Sequence, residues 1–453
     1  MKLNRLAWSL GLVFAASTGF AQMYTLTDLG TLGGSWSQAA AINAWGQVAG
    51  SSGISGDTAG HAFRTARNRP INPLTDDLGT LIGTNSAATA INAWGQVVGS
   101  SYSLADPHAP RAFRTAPNRP INPATDDLGT LGSNFALAAG INIFGQAVGT
   151  SALGGIAYIH AFRTAHNRAI NPATDDLGTL GNPDSHATGI NFFGQVVGYS
   201  INSSGAHYHA FRAAPNRPIN PATDDLGTLG GTDSSAAAIN DFGQVAGWST
   251  NSGGYTHAFR TAANSVINPA TDDLGILGGS LSQAAGLDDY GQVVGFASTN
   301  GDNAQHAFLY SGTVMRDLND LIASDSECEL TGAVGMNDDG EISANGTCGG
   351  QQHAVLLTPI YKALISPPIA GGTVRFKLLR NNLRTCALPP ATIAVSRATL
   401  SGFVPVDSAG DTVAQASCQY VSDLSASGLG RGIYRVDISI AGIMVGHAVF
   451  TLR

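Results

Sequence analysis

The chain has 453 residues, 43% of them hydrophobic and 12% charged, with a formal net charge of −8. No lysine stands between Gln22 and Tyr361, so nothing resembles the basic stripe that tracks a phosphate backbone, and nucleic acid is excluded as a partner. No later stretch offers the roughly 20 apolar residues that a membrane span needs.

The first segment, "MKLNRLAWSLGLVFAASTGFAQ", sets Lys2 and Arg5 before an apolar core from Leu6 to Ala16, then Gly19 and Ala21 around Phe20. This is the layout of a secretory signal peptide, residues 1–21, with cleavage expected after Ala21. The expected mature chain is secreted or extracellular, with periplasmic or cell-surface placements left open. Four cysteines suit an oxidising compartment. They fall as two close pairs, Cys328 with Cys348 and Cys386 with Cys418. The intervening "MNDDGE" reads as a hairpin turn that would set the first pair side by side. A C-x-x-C metal or redox spacing is absent, and no cofactor or metal is expected.

From residue 22 to 360 the chain repeats itself. "DLG" or a variant begins at Asp28, Asp77, Asp127, Asp176, Asp225, Asp273 and Asp317. A turn of the type "IN-x-x-GQVVG" places a glycine at Gly46, Gly95, Gly145, Gly194, Gly243, Gly291 and Gly340. "HAF" begins at His61, His160, His209, His257, His306 and His353, and Arg111 replaces the histidine in the second copy. The glycines and the HAF positions recur every 47 to 50 residues, which makes seven units. Each unit reads as four short strands: "SSAAAIN", "GQVAGWS", "HAFRT" and, after a proline-containing link, "DLGTLG". That is the pattern of a β-propeller blade. The array opens on a spare "YTLTDLG" and stops after "HAVLLTP", so the N-terminal strand would complete the seventh unit and close a seven-bladed propeller, removing two free edges.

The "HAF", "DLGTLGG" and "IN-x-x-GQVVG" elements together resemble the HAF-repeat family of exported bacterial proteins, over about residues 24–359. The resemblance implies an extracellular repeat protein and brings no catalytic residue with it. After Pro359 the composition changes: "GGTVRFKLL", "ATIAVSRATL", "GIYRVDISIAG" and "MVGHAVFTLR" read as strands. Residues 361–453 are therefore expected to form a small β-sandwich of immunoglobulin type, completing an all-β chain.

The repeated histidines and the paired acids Asp76/Asp77, Asp126/Asp127, Asp175/Asp176, Asp224/Asp225 and Asp272/Asp273 read as scaffold. The histidines would be spread round a ring, too far apart for one ion, and a calcium site at the aspartate pairs is the minor alternative. Function is expected where units differ, in the loops after the second strand. Those loops offer Tyr102, His108, Tyr158, His207, Tyr208, Trp248 and Tyr255 to a glycan or protein ligand. No Ser/His/Asp set or nucleophile elbow stands out, the inner strands are nearly free of acids, and Asp184 with His186 is isolated on an expected loop. The expected function is that of an exported, non-catalytic binding or surface-structural protein; the oligomeric state stays open. The alternative is a secreted carbohydrate-active hydrolase or lyase, which would need carboxylates converging in the axial pocket.

Overall fold

The computed structural model describes residues 22–452 apart from 104–105, 155–157, 206, 370–372, 382, 387–388, 400–401, 407–412, 416–418 and 424–429. The expected signal peptide lies outside the described residues. The fold is all-β, with 57% of residues in strands and 3% in helices. Among the described residues no helix is long and apolar enough to cross a membrane.

Seven small antiparallel sheets follow the seven sequence units in chain order. In the first, Gly33–Ile42, Val48–Ile54 and Gly60–Arg64 pair successively. The same arrangement recurs, for example, in the fifth as Gly230–Ile239, Val245–Asn251 and Thr256–Arg260. Two kinds of glycine fix the shape. Gly46 closes the first turn with a φ of +73°, a conformation that costs glycine least, while the Asn43 side chain accepts the N–H groups of Trp45 and Gln47 at 3.0 Å. The glycine that ends each "GQVVG" lies opposite a register shift, and a Cβ there would stand 1.9–2.0 Å from a facing carbonyl at Gly50, Gly99, Gly149, Gly198, Gly247 and Gly295. Any larger residue would part the first two strands.

The fourth strand is shorter than the sequence suggests. In five repeats "DLG" contributes a single bridge, as between Phe63 and Asp77. Backbone bonds from Arg64 N to Asp76 O and from Leu78 N to Ala62 O flank that bridge, and Gly79 then turns the chain away at a φ of +69°. A full fourth strand occurs in the sixth sheet, Val314–Asp317, and in the seventh, where Tyr24–Asp28 pairs with Gln351–Pro359. The N-terminal strand thus completes the last sheet.

Consecutive sheets are stitched by the repeated phrase itself. Ala62 N donates to Ser86 Oγ at 2.8 Å, and Arg64 Nη1 donates to the Gly95 carbonyl at 3.1 Å. The alanine-to-serine bond returns at Ala161, Ala210 and Ala258, and Ala354 N makes it to Ser37 Oγ, joining the seventh sheet to the first. Each apolar cluster is likewise shared between neighbours: Ala49 and Ala62 of the first repeat pack with Ile91, Val97 and Phe113 of the second. Removing a phenylalanine such as Phe113 from water contributes about 1.5–3 kcal/mol.

The histidines sit in half-buried pairs with the aspartate of "DLG". His61, His160, His209 and His257 meet Asp77, Asp176, Asp225 and Asp273 at 2.8–2.9 Å, and His306 meets Asp317 at 2.5 Å. His353 meets Asp28 of the N-terminal strand at 2.8 Å. Arg111 reaches Asp127 at 2.6 Å and so takes the histidine's place in its repeat. The other aspartate of each pair caps a turn: Asp76 accepts from Asn72 N and Thr75 Oγ1 at 2.8 and 2.9 Å.

Residues 361–452 form two further antiparallel sheets. One contains Tyr361–Ile369, Thr373–Arg380 and Gln419–Asp423; the other contains Ala391–Thr399, Gly432–Ile440 and Ile443–Leu452. Phe376 stacks on Tyr420 at 4.5 Å, and Ile393, Val436 and Ile438 of the second sheet join the same core. Cys328 and Cys348 are directly opposed in the seventh sheet and bonded to each other. Cys386 is disulfide-bonded as well, while Cys418 lies outside the described residues.

A candidate binding face

In the antiparallel register, the end of the first strand, the start of the second and the end of the third share one edge of each sheet, as Ile42↔Val48 and Ala49↔Arg64 show. The "IN-x-x-G" turns therefore lie on one face, and the variable loops after the second strand lie on the other. The turn asparagines form a hydrogen-bonded circuit. Asn43 Nδ2 donates to the Asn92 carbonyl at 3.0 Å, Asn92 to Asn142 at 3.0 Å and Asn142 to Asn191 at 3.3 Å. Asn191 continues to Asn240 at 3.1 Å and Asn240 to Asp288 at 2.9 Å, while Asn337 returns to Asn43 at 3.0 Å. The link from the sixth repeat to the seventh is missing because Asp288 stands where the other repeats have asparagine.

Above this circuit lies a shared cavity of about 310 Å³, lined by the corresponding turn of every repeat. Its wall is asymmetric. Repeats one to four present Ala44, Ala93, Ile143 and Phe192 at one turn position, where the next three present Asp241, Asp289 and Asp338. The first strands are nearly free of acids, as expected from the sequence, and the acids of this wall come from the turns. Each carboxylate bonds to the preceding turn, with Asp241, Asp289 and Asp338 Oδ1 accepting from Phe192, Asp241 and Asp289 N at 2.8, 2.9 and 3.1 Å. Burial and the facing carboxylates of Asp338 and Asp241 push Asp289 up to about 6.

Outside the cavity, the residue before the turn glycine is aromatic in six repeats: Trp45, Trp94, Phe144, Phe193, Phe242 and Tyr290. Five of these side chains are open to solvent, with fractional exposures from 39% at Phe144 and Phe242 to 59% at Trp94. These exposed rings all stand at the same turn position of their repeats. Phe144 stacks on His166 at 5.3 Å and meets Phe192 at 5.0 Å, and the Arg67 guanidinium lies 5.9 Å from the Trp45 ring centre. The C-terminal unit covers the turns of the last two repeats. His447 packs on Tyr290 with ring centres 3.7 Å apart, and Lys362 pairs with Asp339. Burial beside the Arg435 cation lowers the His447 ring to about 4, so it packs there neutral.

The loop residues proposed from the sequence sit on the opposite face and do not form one cluster. Tyr158, Tyr208 and Tyr255 are exposed, whereas Tyr102, His207 and Trp248 are half-buried. Tyr208 meets Tyr199 edge-on at 5.6 Å, and His207 approaches Asp233 at 3.4 Å. The His108 side chain lies outside the description. Asp184 and His186 belong to the strand Gly181–Ile190 rather than to a loop; Asp184 accepts from Ile159 N at 3.0 Å and His186 stacks on Tyr199 at 4.6 Å.

The aromatic turn face was not anticipated because function was sought where the units differ, although the recurrent aromatic before the glycine is visible once the seven turns are aligned. It missed the acids because they arise only in the last three copies. No protein-family model matches the chain, and no curated protein matches it either.

Proposed function

We propose that the chain is an exported repeat protein of the HAF type, a seven-bladed propeller closed by Tyr24–Asp28 and followed by an immunoglobulin-like sandwich, that binds a glycan without catalysis. The cavity then lies on the propeller axis, and the exposed aromatics form a crown around its mouth. The observation that carries the reading is that crown: five open rings at equivalent turns, of which Trp94 is the most exposed. Flat apolar rings with few rotatable bonds suit the CH-bearing faces of sugar rings. The acidic wall and the net charge of −8 disfavour polyanions and leave neutral or cationic polymers.

The test is a glycan and cell-wall polysaccharide array probed with the mature chain, a Trp45→Ala/Trp94→Ala/Phe193→Ala variant and a Tyr208→Ala/Tyr255→Ala variant. Loss of capture in the first variant alone supports the crown. Loss in the second alone moves the site to the variable loops.

The acidic wall favours a second reading, a carbohydrate-active hydrolase. Asp289, held near 6, is suited to donate a proton, and Asp241 is the neighbouring carboxylate on the same wall. Release of reducing ends from a captured polysaccharide, abolished by Asp289→Asn, would establish that activity.

A further inference from the structure

Beside the aromatic face, between the fifth and sixth repeats and the C-terminal unit, lies a cleft of about 670 Å³, within the range of small-molecule sites. Its two sides are tied together at the rim. Met444 N donates to Ser311 Oγ at 3.4 Å, and Arg316 Nη2 donates to the Ala441 carbonyl at 3.3 Å.

The charges in the cleft are already committed. Arg435 Nη2 contacts Asp437 Oδ2 at 3.0 Å, with both side chains 15% exposed. Arg260 Nη1 donates to the Gly291 carbonyl, and its guanidinium lies 5.4 Å from the Tyr310 ring centre. A charged ligand would have to break one of these arrangements. Asp289, whose Oδ1 accepts from Asp241 N at 2.9 Å, also reaches the cleft; the rest of the polar lining is neutral and includes the hydroxyl and amide groups of Gln244, Thr313, Ser396 and Ser439, and Tyr290 supplies an aromatic wall. Asp437 lies in the cleft wall, and its buried Oδ1 has no hydrogen-bond partner among the described residues.

The geometry points to this cleft as a subsite for a neutral sugar ring, the terminal unit of a glycan lying across the aromatic face. Phe242 and Tyr290 belong both to the series of turn aromatics and to the wall of the cleft, and Asp289 lines the cleft and the central cavity alike. The inference rests on the glycan reading above, but it concerns a different set of residues.

Ligand-observed NMR on the mature chain, with methyl β-glucoside and methyl β-N-acetylglucosaminide as probes and galacturonate and glucosamine as charged controls, tests it. The neutral glycosides are expected to bind. Thr313→Trp at the exposed rim and Ser439→Phe on the wall should each weaken that binding roughly tenfold or more, with the melting temperature of Thr313→Trp unchanged. Trp45→Ala/Trp94→Ala should leave it intact while reducing capture of the polymer. Absence of neutral-glycoside binding, equal binding by both cleft variants, or a preference for the charged sugars would overturn the assignment. Glycoside binding lost in the cleft variants, in a protein that captures no polymer, would sustain the cleft and remove the aromatic face.

Discussion

Asp288→Asn should make the protein more stable, and by an amount that grows with pH. In each of the other repeats the turn asparagine donates twice through Nδ2, as Asn240 does to Gln244 Oε1 at 2.9 Å and to the next repeat's carbonyl at 2.9 Å. Asp288 is 3% exposed; its Oδ1 accepts from Tyr290 N and Gln292 N at 3.0 and 2.7 Å, and its Oδ2 has no partner. By repeat equivalence Oδ2 faces the Asn337 carbonyl and the Gln292 amide. An ionised carboxylate there would oppose an acceptor; a protonated one donates one bond where asparagine donates two. The extra bond is worth about 1 kcal/mol.

The pH term adds to this. Burial raises the Asp288 carboxyl well above its ordinary range, and the Asp338 and Asp289 carboxylates reinforce the rise. Tyr24 and Tyr290 also face it, and Arg260 is the cation that opposes the trend. A carboxyl whose folded pKa lies above its unfolded value of about 3.9 contributes fully below that value and loses its contribution as pH rises through the folded pKa. Within that window each pH unit costs the native protein about 1.4 kcal/mol, a loss that asparagine does not suffer. Urea unfolding of both proteins from pH 4 to pH 8 should show a small gap at pH 4 that widens steadily. A less stable Asp288→Asn protein, or a gap independent of pH, would refute the argument and show an ionised Asp288 held by Arg260.

The remaining tests address closure, the repeated pairs and the cysteines. Removing residues 22–30 should sharply lower the melting temperature, because Gln351–Pro359 loses its outer partner and His353 loses Asp28; an unchanged melting curve would argue for an open array. His209→Ala should cost about 1–3 kcal/mol by taking the imidazole from Asp225 and leaving it only Gly227 N, with ligand capture intact, and Arg111→His should be close to neutral because either side chain reaches the aspartate. Peptide mapping without reduction should find Cys328 joined to Cys348 and Cys386 to Cys418; a cross-link between the two units would contradict the division near residue 360.

The scaffold was legible because its parts are local and repeated. The strands, the Asn-x-x-Gly turns and the spare strand at Tyr24 follow from period and turn chemistry, and the pairing of Asp28 with His353 is the same contact that five other repeats make internally. Less legible was the strength of the fourth strand, which depends on how soon Gly79 and its equivalents turn the chain away. The candidate face was hardly legible at all. Whether Trp45 and Phe193 are core or surface depends on which sheet edge their turn occupies, and the acids of the cavity wall come together only when turns about 49 residues apart are set side by side.

The acidic changes at the turns are concentrated in the last three repeats, and their location supports the proposed site. Aspartate replaces the turn asparagine at Asp288, acids enter the cavity wall at Asp241, Asp289 and Asp338, the aromatic of the turn gives way to Asp339, and the full fourth strand Val314–Asp317 appears, all within the last three repeats. The last two of these repeats also meet the C-terminal unit, through Ser311, Tyr290 and Asp339. Inter-sheet packing alone would favour seven equal copies, since the first four show that Asn-x-aromatic-Gly satisfies the joint. Asp288 leaves Oδ2 unpartnered and like charges face one another across the turns, a cost to stability of the kind that persists where a site requires it. The same side of the molecule therefore holds the incomplete joint, the acidic wall, the covered turns and the cleft beside them. On the proposed reading, a ligand drawn there would meet the open aromatics Trp45, Trp94, Phe144 and Phe193 of the first four repeats on one flank and the C-terminal unit on the other.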